Sequence, residues 1–371
     1  MFSKHYQDEL TFLRATGKAY AEANPSTAGL LAERGGDPDV ERLLEGFAFL
    51  AARVRERLEA GVPEVIHDLT ELLLPQYLRP IPAATVVEMV PIPGALRNRA
   101  RVPVGTELAS APVDGTPCRF RTTADLDLLP VAVQEVLLDQ SVSALPVLRV
   151  QLQVAPQAAA ALFQPEGLRL FLHGEFPSAS ALLLALARHL RGLKVRALPS
   201  GRPVPLPPSA LRLVGLTPEL PLLPWPALAP EGYRTLLEYF TLPQKLLFFE
   251  IRDLQLAREA AAERIELALE LERPPELPAR LGKDSLRTNC VPAVNLFRAS
   301  ADPVSVEALG EEHLLRAAEI PPLHMEIQAV ESVLCAPQGP GERRPLESFT
   351  SFRHGPAGRG ARYYRLRREL S

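Results

Sequence analysis

Cysteine is scarce: Cys118, Cys290 and Cys335 are three in 371 residues and lie far apart. An odd number without close pairs excludes a disulfide framework and a four-cysteine zinc site, and reads as reduced thiols in a cytosolic protein. Long apolar runs are missing too. Lys4, Asp8, Glu9 and Arg14 interrupt the start, so no secretory signal is visible. The longest apolar stretch, Ala181–Ala187, falls far short of the roughly 20 residues that a spanning helix needs, so direct membrane insertion is not expected. Neither sign of charge dominates. A net charge of -3 and a pI near 6.2 give no general pull toward nucleic acid or anionic lipid.

Recognisable catalytic spacing is also absent. No GxSxG, GxxxxGK(S/T) or HExxH occurs, which removes the nucleophile elbow, the phosphate loop and the metalloprotease pair. His313 and His324 are separated by Pro321-Pro322. His67 and Glu71, one helical turn apart, are of the right types for a metal, but equally for a solvated helix face. Gly355, Gly358 and Gly360 lack the strand, helix and downstream acid of a dinucleotide site. No catalytic residue, metal or cofactor is expected. Two rival readings stay open: a cytosolic enzyme without a readable motif, and a nucleic-acid-binding module using an arginine-rich tail.

What is abundant is proline, with 38 residues spread from Pro25 to Pro356 among apolar ones. Proline suits sheet edges, turns and first helical turns, so many short strands and rigid loops are expected after residue 75. Before that the chain reads as helical. Tyr6, Leu10, Leu13, Gly17 and Tyr20 recur at steps of four and three. A second helix spans Asp37–Leu58, with Asp37 as cap, Pro38 in the first turn, acids at its start and Arg53, Arg55 and Arg57 near its end. Val40, Leu43, Phe47, Leu50 and Val54 share one face. Burying each contributes roughly 1.5–3 kcal/mol, against about 1 kcal/mol for the cap. A third helix is expected after Pro63, with Ile66, Leu69 and Leu73. The three either bundle together or lend their stripe to a partner chain.

From Pro75 the pattern changes. Thr85–Val90 reads as a strand, and Val104-Gly105-Thr106 and Asp114-Gly115 read as turns of hairpins within Arg101–Phe120. Leu145–Val154 and Gly167–His173 alternate at period two. A helix over Ser178–Leu190 and a strand at Lys194–Leu198 follow. Pro199–Pro230 reads as a proline-rich connection carrying Leu211–Val214. Its Trp225 either plugs its own core or docks on a partner. Beyond it come a helix at Glu231–Phe240, an apolar strand at Lys245–Ile251, a strand or short helix at Arg264–Leu271, a loop-bound stretch at Arg287–Phe297 and strand-like alternation at His324–Val333. The tail, Phe349–Ser371, holds six arginines between Arg353 and Arg368, with Tyr363 and Tyr364 available for stacking. The fold class is α+β and multidomain: a helical unit over 1–78, a mainly antiparallel β domain over 79–200, a connection over 201–230 and a mixed domain from 231 to 371 that continues beyond the chain end.

Several blocks, in order, resemble the TssF family of type VI secretion baseplate subunits. They are HYQDELTFLRATGKAYAEANPSTAG near the start, DPDVERLLEGFAFLAARVRERL, PEVIHDLTELLLPQYLRPIPA, EYFTLPQKLLFFEI (Glu238–Ile251), NCVPAVNLFRASADPV (Asn289–Val304), Glu326–Val333 and FTSFRHG (Phe349–Gly355). The resemblance implies a structural role without catalysis or cofactor: two copies with one TssG form a wedge, and wedges surround the VgrG spike hub. It implies further partners in TssK, TssE and the assembled baseplate, and a cytoplasmic place at the inner-membrane complex. Family members continue well past the tyrosine–arginine strand, so contacts made by that later region do not carry over. Candidate partner-contact residues are Asp37, Val40, Leu43, Phe47, Leu50, Val54, Trp225, Asn295 and Phe297.

Overall fold

The structure is a computed structural model that describes residues 2–24, 26, 38–92, 94–140, 145–156, 158–226, 229–277, 280–306, 312–318, 320–336, 342–349 and 362–366. These divide into two compact units, one of residues 1–79 and 329–371, the other of residues 80–328. The first unit opens with helix α1 (Phe2–Ala23) and helix α2 (Pro38–Leu73). The expected second and third helices are one continuous helix of 36 residues. Proline inside a helix removes one backbone bond and typically breaks or kinks it, yet the backbone stays helical through 61–63. Asp37 lies outside the described residues, so its capping role has no structural account here. The two helices run antiparallel, since Arg55 of α2 pairs with Glu9 at 2.7 Å and Glu41 of α2 pairs with Arg14. Between these ion pairs Leu10, Ala48 and Ala52 are buried. The small alanines let the backbones approach closely.

The second unit is built on antiparallel strands. In chain order these are β1 (Ala84–Glu88), β2 (Ala100–Val102), β3 (Glu107–Val113), β4 (Thr116–Thr122), β5 (Leu126–Leu128), β6 (Val131–Asp139) and β7 (Val147–Val154). The short helix α3 (Ala159–Leu162), β8 (Leu168–Leu172), helix α4 (Phe176–His189), β9 (Leu190–Ala197), β10 (Val204–Leu206) and β11 (Leu211–Leu213) follow. Helix α5 (Glu231–Thr241), β12 (Phe248–Ile251), β13 (Arg264–Leu271), β14 (Leu286–Thr288) and β15 (Cys290–Val294) complete it. One sheet has the order β10-β9-β13-β7-β6, a second β11-β12-β8-β14, a third β1-β15-β4-β3, and β2 pairs with β5.

Alternation at period two gives the five-stranded sheet two unlike faces. Val150, Leu152, Val195, Ile265, Leu267 and Leu269 point into the main core, joined by Leu182, Ala185 and Leu186 of α4. The opposite face carries a cross-strand ladder: Asp139 accepts from Arg149 at 3.1 Å, and Glu266 accepts from Arg149 at 3.0 Å and from Arg196 at 2.8 Å. The second sheet is covered on both faces. All of β12 is buried, and its Glu250 is matched by Arg169 across the pair at 3.0 Å.

The structure draws the internal boundaries differently from the sequence. Strands on either side of 201–230 share sheets, since β8 pairs with β12 and β9 with β13. The proline-rich stretch itself supplies β10 and β11 and buries Leu206, Val214, Leu220 and Leu222. It is core, not linker. Arg287–Phe297 holds two strands rather than a lead into a loop. Asn289, in left-handed conformation at φ 55°, turns the chain from β14 in one sheet to β15 in another. His324–Val333 holds no strand until β16 (Val333–Cys335).

That strand returns the chain to the first unit, where β16, β17 (Arg344–Ser348) and β18 (Tyr363–Tyr364) form a small sheet. Most of the arginine-rich tail and of the FTSFRHG block lies outside the described residues.

Candidate interaction surfaces

The stripe of α2 does not face α1. Val40 is half-buried, while Leu43 is 73%, Phe47 62% and Val54 59% exposed, with Leu50 exposed between them. The side turned to α1 runs through Glu41, Leu44, Ala48 and Ala52, so the large residues point outward. Their spacing of three, four, three and four is that of a coiled-coil seam. Leu58 extends it and is also exposed. An uncovered seam of this kind has no reason to stay in water: each of these side chains gains roughly 1.5–3 kcal/mol on full burial.

The remaining candidates lie in the second unit. Trp225 is half-buried, and its ring N–H donates to the Ala229 carbonyl at 3.0 Å, closing its own loop. Asn295 donates its backbone N–H to Ala83 at 2.8 Å. Phe297 lies under the Arg119 guanidinium, 5.3 Å from the ring centre. The structure brings their flanks together: Leu222 and Leu223, just before Trp225, share a small apolar cluster with Val294 and Leu296 on either side of Asn295. It does not single out Trp225 as a docking residue.

Sequence reasoning identified α5 as a helix and missed what it presents. Its inner side joins buried charge to Leu237, which packs on the Leu222, Leu223 and Val294 cluster. Glu238 is 1% and Lys245 2% exposed, paired at 2.6 Å, and Arg234 is buried with its Nη2 on Glu231 at 2.7 Å. Glu238 also accepts the backbone N–H of Leu222 at 2.8 Å. Burial pushes the Lys245 ammonium below its ordinary pKa, against the pull of Glu238. The outer side is apolar: Leu236 is exposed, Phe240 is 81% exposed, and Tyr233 and Tyr239 are partly so. The i, i+4 spacing of Arg234 and Glu238 was legible. Only Lys245, from the next turn, shows that this pair faces inward.

Chemistry-bearing groups are dispersed. Among the described residues no three His, Cys, Asp or Glu side chains gather as metal ligands, and no helix is long and apolar enough to cross a membrane. A cavity of about 20 Å³ beside Asp127, Arg169, Glu250 and Asn289 has room for a water molecule. The Cys290 thiol is pushed up to about 12 by burial. The side chains of His67 and Asp68 lie outside what the structure describes.

Antiparallel sheets together with helices that turn apolar side chains outward, α2 in the first unit and α5 in the second, define the class as a multidomain α+β protein. The sequence comparisons give that class a family: the chain matches the model "Type VI secretion system, TssF" over residues 1–371 and belongs to that family. It is 33% identical over 389 aligned positions to type VI secretion system component TssF1 of Pseudomonas aeruginosa, covering 99% of this chain and 62% of that protein. Among solved structures it is similar to a chain of a TssK-TssF-TssG baseplate subcomplex determined by cryo-electron microscopy, at 32% identity and a TM-score of 0.73, over 87% of this chain and 62% of the other. A chain of a type VI baseplate complex is similar at 30% identity and a TM-score of 0.43. The chain thus spans about three fifths of the length of the first two relatives.

Proposed function

We propose that this chain is a structural subunit of a type VI secretion baseplate wedge, present as two copies with one TssG-type subunit around a VgrG-type spike hub. On this reading TssK and TssE join it in the assembled baseplate, which stands in the cytoplasm against the inner-membrane complex, and the chain does no catalysis. The observation that carries the reading is the uncovered seam Leu43–Phe47–Leu50–Val54 on α2, which lies in one of the blocks that resemble the family. A similar chain stands in a complex with TssK and TssG. Val40, half-buried, begins the same stripe.

The test is co-expression with TssG-type and TssK-type proteins, followed by native mass spectrometry. A complex with two copies of this chain per TssG is expected. Failure to associate under conditions where the chain alone is folded overturns the reading.

A further inference from the structure

We infer that α2 is jointed: its last ten residues, 64–73, form an arm that bends at Gly61–Pro63 against the part of the helix before it. The inference concerns the chain by itself and does not rest on the assembly reading above. Three observations carry it. The first is chemical. Pro63 lies inside the helix and has no N–H to give the carbonyl of residue 59, and its ring crowds that carbonyl. Gly61, two residues earlier, adds backbone freedom. Against alanine in a helix interior, proline costs about 3 kcal/mol and glycine about 1 kcal/mol. Sharp bends in helices sit at such positions. The backbone nevertheless stays helical on both sides, so this is a joint within one helix and not the end of it. A second softening lies in the arm, where Thr70 turns its hydroxyl back onto the Ile66 carbonyl at 2.8 Å. Bonds of that kind often bend helices.

Second, α1 braces α2 only as far as this point. The two helices run antiparallel through the Glu9–Arg55 pair at 2.7 Å. α1 begins at Phe2, seven residues before Glu9, and seven residues past Arg55 is Val62. The start of α1 is therefore level with the joint. On the braced side Ala48 and Ala52 are fully buried. Beyond the joint Ile66, Leu69, Glu71 and Leu73 are exposed and Thr70 is half-buried. No described side chain of 64–73 is buried, so packing does not hold the arm to one direction.

Third, the joint falls inside the apolar seam. Leu43, Phe47, Leu50, Val54 and Leu58 lie before it, and Ile66, Leu69 and Leu73 after it, all exposed. Steps of eleven, from Phe47 to Leu58 to Leu69, keep both parts on one face, because eleven residues are close to three turns. Bending at Gly61–Pro63 divides this one surface into two segments of different direction. The arm rises 1.5 Å per residue, so a bend of about 20–30° carries its Leu73 end sideways by roughly 5–8 Å. The arm is also one of the two chain paths to the second unit, which begins at residue 80. The joint thus sets the direction in which the chain leaves the helix pair.

The experiment measures this movement in the intact chain by double electron–electron resonance, with the spin labels on unnatural residues so that the three cysteines stay in place. One pair of labels, at Asp8 and Glu71, spans the joint. A control pair, at Asp8 and Glu45, lies within the braced part, and all three positions are exposed. In the wild type the 8–71 distance distribution is expected to be about 5 Å broader than the 8–45 distribution. In Gly61→Ala/Pro63→Ala it is expected to narrow to the width of the control, with a melting temperature equal to or above that of the wild type. A wild-type 8–71 distribution as narrow as the control overturns the joint. One that stays broad in the double variant overturns its assignment to Gly61–Pro63. If the double variant does not fold, the two wild-type pairs decide whether the arm bends and Pro63→Ala alone decides where.

Discussion

At the residue scale, the second unit depends on a few groups whose replacement has a definite sign. Lys245→Met leaves the buried Glu238 carboxylate with only the more distant Arg234, at 3.9 Å, at a cost of about 3 kcal/mol. Adding Glu238→Gln removes the charge and keeps an acceptor for the Leu222 N–H, so the double variant recovers much of that loss in urea unfolding. A double variant no more stable than the single one would mean that charge is not what is lost. Gly167 is a different case. It sits at φ 78°, and an added Cβ would stand 2.4 Å from the Ile251 carbonyl oxygen. Gly167→Ala therefore meets both backbone strain and a clash with backbone that cannot swing away. A loss of about 1–3 kcal/mol or more is expected, read from the same unfolding curves. Cys290, with its thiol raised to about 12, carries almost no thiolate at pH 8. A thiol reagent is expected to spare it in the native protein while labelling the half-buried Cys118 and Cys335; mass spectrometry of the labelled peptides decides.

At the scale of elements, α2 shows what a sequence does and does not disclose. Its apolar period was readable to the residue, but not the direction of the stripe. The contact with α1 is made by Ala48 and Ala52, residues too small to weigh in a count of large apolar groups. Phe47→Ala is accordingly expected to change the stability of the isolated chain by less than about 0.5 kcal/mol, as at other surface positions, and, on the proposed assembly reading, to impair assembly with a TssG-type protein. Melting curves and pull-down together check this, and a large fall in melting temperature would place Phe47 in the chain's own core instead. The strands divide in the same way. β7 and β13 alternate cleanly and were legible, β13 up to a choice between strand and helix. β6 was not, because a bulge between Val133 and Glu135 breaks its period. β15 was hidden by Pro292, which argues against a central strand. The proline is tolerated where the ladder to β4 gives out, and its carbonyl still accepts the Thr123 N–H at 3.0 Å. The Asp114-Gly115 hairpin turn was plain, both residues having positive φ. The alternation at His324–Val333 misled, because period two describes side chains and supplies no neighbouring strand.

At the scale of the whole molecule, the abundance of proline has a physical reading that composition alone concealed. A run such as 199–230 resembles a linker because proline breaks periodicity. Here it lies along sheet edges, where a missing N–H costs little: Pro205 sits within edge strand β10, and Pro208 opens the turn before edge strand β11. Prolines on such edges also discourage unwanted strand pairing, a hazard for any protein that works at high local concentration in an assembly. Since β8 and β12, and β9 and β13, pair across this stretch, residues 80–328 are one compact unit and are expected to open as one. Native-state hydrogen exchange on the intact chain tests that directly. The Leu198 amide, bonded to Arg264 at 2.9 Å, and the Val214 amide, bonded to Phe248 at 3.2 Å, are expected to open together with the amides of β13 at one free energy. Earlier exchange across 201–230 would make the stretch a joint after all. The chain could then flex between its two β portions, and the strand pairs β8–β12 and β9–β13 would not hold across the stretch as one ladder.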